Sequence, residues 1–214
     1  MFITFEGPEG AGKTTQSGRL AGALRDLGHR VTDVREPGGT PVGDQIRGIV
    51  LGAEPARRLG ARTEILLFSA ARAQLVDEVI GPALQRGEIV ICDRYSDSTV
   101  AYQAGGRGLP SDAVRQLVEF ATDGLRPDVT FLLDLDVTTG LARKTGLAAD
   151  RIEQEDRRFH QRVRDGYLAL AAAEPERVVV VEASRPANEL AVAILARVQS
   201  RLPEQTPQLV RDAG

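Results

Sequence analysis

One cysteine in 214 residues is too few for an intramolecular disulfide or a thiolate metal cluster. That residue, Cys92, lies in an apolar run and reads as a small core side chain. No apolar run reaches the length of a membrane span. Met1 leads straight into a strand-like stretch, with neither a basic nor an apolar leader region, so a cytoplasmic protein with no membrane partner is expected. A net charge of −3 leaves no broad basic field, which argues against nucleic acid as a partner and requires any anion site to be local. Lysine is almost missing: only Lys13 and Lys144 occur, and apart from two histidines arginine supplies every other basic side chain. What remains, 42% apolar and 27% charged residues, is an ordinary globular composition. The chain is long enough to bury a core without disulfides or a structural metal.

Four short apolar runs, 2–5, 89–92, 129–133 and 178–181, read as buried parallel strands. A fifth, 31–34, alternates and belongs nearer a sheet edge. Helical patterns fill the intervals: 13–27, closed by Gly28, then 60–85 with an interruption expected near Gly81-Pro82, and 111–121, 138–144, 153–173 and 188–201. This alternation predicts an α/β fold, a doubly wound five-stranded parallel sheet flanked by helices, with ligands at the carboxyl ends of the strands. One domain is expected over 1–202, followed by a flexible polar tail at 203–214.

The segment Gly7-Pro8-Glu9-Gly10-Ala11-Gly12-Lys13-Thr14 matches G-x-x-x-x-G-K-[ST] and lies between a strand and a helix, the context that motif requires. Its glycines let successive backbone N–H groups turn inward around an anion, at the positive end of a helix. Lys13 is placed for the β- and γ-phosphates of ATP, and the Thr14 hydroxyl for a magnesium ion, Mg²⁺. Given this chain's scarcity of lysine, the pattern should arise by accident in roughly one such sequence in five hundred. A chain that uses arginine almost everywhere has a compact ammonium where a phosphate nest needs one. Asp93, at the end of the run 89–92, is placed to meet the same Mg²⁺ or its waters.

A kinase needs a second anion pocket facing the first. Arg94 follows Asp93 directly and shares its crevice. Arg47 lies in a helical stretch after the turn-rich loop 35–40. Phe68 and Arg72 are four residues apart on one helix, so a flat apolar ring and a planar donor fork share a side. That pair suits a nucleobase, with stacking on the ring and hydrogen bonds from the guanidinium. Singly, each of these residues is better explained by a core phenylalanine or a solvated arginine. Glu9 is unusual in a phosphate nest because a carboxylate repels the ligand. It makes sense if it points away from ATP and accepts from a sugar hydroxyl of the acceptor.

With these residues placed, the chain resembles the bacterial thymidylate kinases from Phe2 to about Leu202. The resemblance rests on the segments 6–15, 35–40, 68–72, 93–95, 98–107 and 150–153. It implies that MgATP occupies the loop from Gly7 to Thr15 and that Arg143 stacks on adenine. It implies that thymidine 5′-monophosphate (dTMP) is the acceptor: Phe68 stacks on thymine, and Arg72, Thr99 and Gln103 contact its edge. Pro37 lies against base and sugar, Arg47 and Arg94 clamp the phosphate, and Glu9 holds the 3′-hydroxyl. Tyr102 fills the place of a ribose 2′-hydroxyl, which favours deoxyribose. Some family members carry an arginine inside the phosphate loop, where this chain has Ala11. The resemblance therefore implies a lid at about 144–155 that brings a catalytic cation, Arg151, with Lys144 as the alternative because 145–149 carries no basic residue. A homodimer is also implied.

Two rival readings remain at this level. Another nucleoside-monophosphate kinase of the same fold would keep the phosphate loop and change the acceptor pocket. A P-loop switch or binding ATPase would lack an acceptor pocket. A guanine-specific switch would also carry Asn-Lys-x-Asp, and the sole asparagine, Asn188, is followed by Glu189.

Overall fold

A computed structural model describes residues 1–52, 59–143 and 149–202. The first half runs β1 (Phe2–Glu6), α1 (Lys13–Asp26), β2 (Val31–Arg35), α2 (Pro41–Leu51), α3 (Ala61–Leu75), α4 (Gly81–Gln85) and β3 (Ile89–Asp93). The second half runs α5 (Ser96–Thr99), α6 (Ser111–Thr122), β4 (Val129–Asp134), α7 (Val137–Arg143), α8 (Arg157–Ala173), β5 (Val178–Glu182) and α9 (Ala187–Gln199). Two π-helical segments, Val76–Ile80 and Val100–Gly106, continue α3 and α5.

All five strands are parallel, in the order β2-β3-β1-β4-β5. Every residue of central β1 is buried, which is why its sequence is a continuous apolar run and not an alternating one. Ile3 and Phe5 join Leu20 and Leu24 of α1 and Leu190 and Ile194 of α9 in one core. Phe2, Val90 and Cys92 face the other way and pack against Leu75, Val76, Ile80 and Ala83. The period-two alternation of a strand thus feeds two helical layers. Strand order reverses beside β1, so a crevice opens at the carboxyl ends of β1 and β3.

Three expectations need correction. The run 178–181 is not a buried strand: β5 is a sheet edge, and Val180 is 49% exposed. Gly81-Pro82 does not interrupt its helix. The Gly81 N–H reaches the Val76 carbonyl across a π turn, and Pro82 then sits at the start of α4, where its missing N–H is tolerated. The helix expected over 153–173 starts at Arg157 and not at 153, because Asp156 caps it by accepting from the Phe159 N–H at 2.7 Å. Upstream, Asp150 Oδ1 accepts from the N–H groups of Ile152 and Glu153, which holds that stretch in a turn. Lys144 with 145–148 of the expected lid, and the tail 203–214, lie outside the described residues.

Candidate active site

The phosphate loop connects β1 to α1. Gly12 caps α1 with φ 89°, and no side chain caps the helix, so its first N–H groups are open to a ligand. Gly10 has φ 70°, and a Cβ there would lie 2.1 Å from the Gly140 carbonyl oxygen, so conformation and space both demand glycine. Lys13 Nζ donates to the carbonyl oxygens of Gly7 (3.0 Å) and Pro8 (2.8 Å). Burial, and then the Arg94 charge, push its pKa down to about 8. An ammonium in that condition gains when an anion arrives. Ala11 packs into the core beneath the loop and brings no charge. Arg143 donates to the carbonyl oxygens of Gly10 (3.4 Å) and Ala183 (3.2 Å) at the outer wall.

Thr14 Oγ1 donates to Asp93 Oδ2 at 2.5 Å, tying the first turn of α1 to the tip of β3. One hydroxyl and one carboxylate beside a phosphate nest fit Mg²⁺, which prefers hard oxygen donors and keeps waters and phosphate oxygens for its other positions.

Arg94, the first residue after β3, has a left-handed backbone with φ 69°. Its N–H donates to the Phe5 carbonyl at 2.9 Å. Its Nη2 donates to Glu9 Oε1 (2.6 Å), and its Nη1 to Gly7 O (3.1 Å) and the Tyr167 hydroxyl (3.2 Å). Burial alone would weaken its charge, but facing Tyr102 and Glu9 hold it firmly protonated. The turn that carries it is anchored by buried Glu6, which accepts from the N–H groups of Tyr95 (2.7 Å) and Ser98 (3.2 Å), from Ser98 Oγ (2.6 Å) and from the Tyr167 hydroxyl (2.8 Å). Burial, followed by the Asp97 charge, pushes the Glu6 carboxyl up to about 7. On the other side of the cleft Arg47 Nη1 donates to the Pro37 carbonyl at 2.8 Å. Burial and then the like charge of Arg35 lower its pKa, so this guanidinium too is set to gain from an anion.

Between these cations lies a flatter, more apolar wall. Half-buried Phe68 and buried Arg72 project from α3. Arg72 is locked: Nε donates to Glu36 Oε2 (2.8 Å), Nη1 to Thr99 Oγ1 (2.8 Å) and Nη2 to the Tyr95 carbonyl (3.0 Å). Burial raises the Glu36 carboxyl, with Arg72 opposing. Tyr102 donates its hydroxyl to Glu9 Oε1 at 2.6 Å, and its ring lies 5.2 Å from the Arg94 guanidinium carbon. Gln103 follows it on the π-helical segment.

One cleft of about 430 Å³ is lined by both groups. It takes Glu9, Gly10, Gly12, Lys13, Thr14, Thr15, Asp93 and Arg143 from the donor side. From the acceptor side it takes Pro37, Arg47, Phe68, Arg72, Arg94, Thr99, Tyr102 and Gln103. Gly7 and Pro8 contribute carbonyls to Lys13 from behind. Arg151 is the exception. It does not line the cleft: its Nε donates to the Val50 carbonyl (2.9 Å), and its Nη2 to buried Glu64 (2.6 Å). An ion pair with a carboxylate that is 0% exposed is what keeps it there. Sequence reasoning also gave no role to Glu36, Glu6, Tyr167 or Glu64. The available signal was the arginines: a buried guanidinium such as Arg72 requires a buried carboxylate.

The family model for thymidylate kinase matches residues 5–194. The chain is 54% identical over 202 residues to a thymidylate kinase of Deinococcus radiodurans, covering 94% of this chain and 97% of that protein. It is 52% identical over 199 residues to one from Thermomicrobium roseum, covering 92% and 93%. The crystal structure of thymidylate kinase from Ehrlichia chaffeensis superposes with a TM-score of 0.76 at 35% identity, over 93% of this chain and 98% of that one. A likeness that spans the sheet, the phosphate loop and the arginine-lined wall together leaves one assignment: this chain belongs to the thymidylate kinase family.

Proposed function

We propose that the protein transfers the γ-phosphoryl group of MgATP to dTMP, giving dTDP and ADP, a step toward dTTP. The observation that carries this reading is the two-sided cleft, with a triphosphate cradle at Lys13 and an arginine-lined pocket at Arg47 and Arg94 opening into one space. An acceptor phosphate oxygen forms a bond to the γ-phosphorus as the bond to the β-bridging oxygen breaks, and ADP leaves. No strong base is needed, because the nucleophile is already an anion at neutral pH. Catalysis is alignment of two like-charged groups and neutralisation of the charge between them. Lys13 turns from its two loop carbonyls to the donor phosphates, and Arg94 and Arg47 hold the acceptor phosphate. Phe68, Arg72, Thr99 and Gln103 receive the base, Pro37 lies beside it, and Glu9 with Tyr102 faces the sugar. Thr14 and Asp93 would hold Mg²⁺, which would supply charge to screen the donor oxygens. The amide N–H groups of the loop from Gly7 to Thr15, with Arg143 above, complete the ATP site.

ADP release measured with dTMP, dUMP, dCMP, dGMP and AMP tests this reading. Preference for dTMP is expected. A preference for AMP or dCMP would make this another nucleoside-monophosphate kinase, and acceptor-independent hydrolysis would make it a binding ATPase.

Arg151 enters this scheme only by leaving Glu64 as the segment 149–155 closes over both nucleotides. On that basis Arg151→Ala should slow the chemical step about a hundredfold, with little change in either KM. Near-normal single-turnover rates would remove it and leave the role of lid cation to Lys144.

The scheme also includes a homodimer and a cytoplasmic setting. Helices α2, α3 and α6 each leave large apolar side chains in water: Ile49 is 40% exposed, Leu66 57% and Phe120 85%. α3 packs against both of the others, so the apolar residues lie on neighbouring elements. Phe120→Glu should shift the solution mass from dimer to monomer in light scattering, and an unchanged mass would place the interface elsewhere. No helix among the described residues is long and apolar enough to cross a membrane.

A further inference from the structure

Gln103 reaches the cleft with half of its amide already committed. Its Nε2 donates to Glu64 Oε1 at 2.8 Å. Glu64 is completely buried and surrounded by donors: Oε1 also accepts from Arg107 Nε (3.0 Å), and Oε2 accepts from Arg107 Nη2 (2.9 Å) and Arg151 Nη2 (2.6 Å). Burial alone would raise its carboxyl, but the hydrogen bonds from Arg107, Gln103 and Arg151 bring it below the usual carboxylate range. An ionised carboxylate only accepts, so the Gln103 amide has one permitted orientation, with –NH₂ toward Glu64. The polar atom left for the cleft is the carbonyl oxygen Oε1.

We propose that Glu64 is a positioning residue for base selection: by holding the Gln103 amide in one orientation, it presents an acceptor, and never a donor, to the Watson–Crick edge of the acceptor base. Thymine and uracil carry a donor at N3, whereas cytosine carries a lone pair there and an amino group beside it. An oxygen at Gln103 matches the first pair and repels the second. The neighbouring groups agree, because Arg72 is donor-only, and Thr99, already accepting from Arg72, has its hydroxyl proton to offer toward a carbonyl of the base. This inference rests on dTMP binding with its base over Phe68.

Glu64→Gln makes the test sharp. The new amide nitrogen must replace either Oε1, which faces one guanidinium nitrogen and Gln103, or Oε2, which faces two guanidinium nitrogens. With Arg151 on Glu64, as in this structure, the first choice creates fewer donor–donor conflicts, and it makes Gln103 turn its oxygen inward and its –NH₂ to the base. The ratio of kcat/KM for dTMP over dCMP should then fall by about tenfold to a hundredfold, mainly through KM for dTMP, with KM for ATP unchanged. A structural role alone would lower both activities together and keep the ratio, and that result overturns the proposal. The native protein supplies a second readout that needs no variant to fold. The Gln103 side-chain amide protons should exchange slowly with water by NMR, with or without dTMP, and rapid exchange in both states overturns the proposal as well. If native protein shows no preference for dTMP over dCMP, the acceptor assignment fails, while slow amide exchange would still establish the Glu64 anchor.

Discussion

Replacing Arg94 with alanine should lower kcat for dTMP by about a hundredfold to a thousandfold and raise KM for dTMP, leaving KM for ATP nearly unchanged. Its guanidinium touches the phosphate-loop carbonyl of Gly7 and the carboxylate of Glu9 at once, so it sits where the donor and acceptor sites meet. Removing it takes away a cation and also breaks its 2.6 Å ion pair with the largely buried Glu9 carboxylate. The backbone provides a control. Arg94 has φ 69°, a conformation that a residue with a Cβ adopts at a cost of about 1–2 kcal/mol and glycine adopts freely. Arg94→Gly should therefore be the more stable of the two variants in thermal melts, yet equally slow. Recovery of turnover in the glycine variant would trace the alanine defect to a misplaced turn. Normal turnover in both would remove Arg94 from the phosphate clamp.

How much of this was legible before the structure depended on what each segment packs against. Buried parallel strands leave continuous apolar runs, so β1, β3 and β4 stood out. Each extends one residue past its run, to Glu6, Asp93 and Asp134, an acidic residue at the carboxyl end of each strand. The run 178–181 misled because valine is favoured in any strand, edge or centre, and four in succession hide the alternation seen in β5. The stretch 96–106, which ends in Gly105-Gly106, was read for its residues and not for its helicity. Those glycines serve close packing instead: a Cβ on Gly106 would lie 2.6 Å from the Phe159 ring of α8. The π-helical turn formed there carries Tyr102 and Gln103 to the cleft.

The site was legible where the chemistry is local in sequence and obscure where it is assembled from distant parts. The phosphate loop is a contiguous motif, and Phe68 with Arg72 is a four-residue helical spacing. By contrast, Arg72 with Glu36 spans 36 positions, Gln103 with Glu64 spans 39, and Arg151 with Glu64 spans 87. No spacing rule connects such pairs. Arg151 shows the consequence: a side chain chosen for its neighbours in sequence is held, in this structure, by a carboxylate that sequence reasoning had passed over.

Lys13→Met should abolish most turnover, by a thousandfold or more on the scale of a lost transition-state cation, and at the same time make the nucleotide-free protein more stable. The reason is the buried ammonium. With its pKa lowered from 10.5 to about 8 by burial and by Arg94, the charged form is disfavoured in the folded chain relative to the unfolded one. Below pH 8 both states hold the proton and the penalty is present in full. Between pH 8 and 10.5 the unfolded chain binds the proton and the folded chain releases it, so Lys13 makes stability rise with pH across that window. The gap corresponds to about 3 kcal/mol, reduced in the comparison by the two hydrogen bonds to Gly7 and Pro8 that methionine cannot make. A gain of about 1–2 kcal/mol, or roughly 2–8 °C in melting temperature, is expected at pH 7. Saturating ATP should reverse the order, since native protein gains binding free energy that the variant lacks. If Lys13→Met melts lower than native protein without nucleotide, the lysine supports the fold itself, and the picture of a cation held ready for a phosphate is wrong.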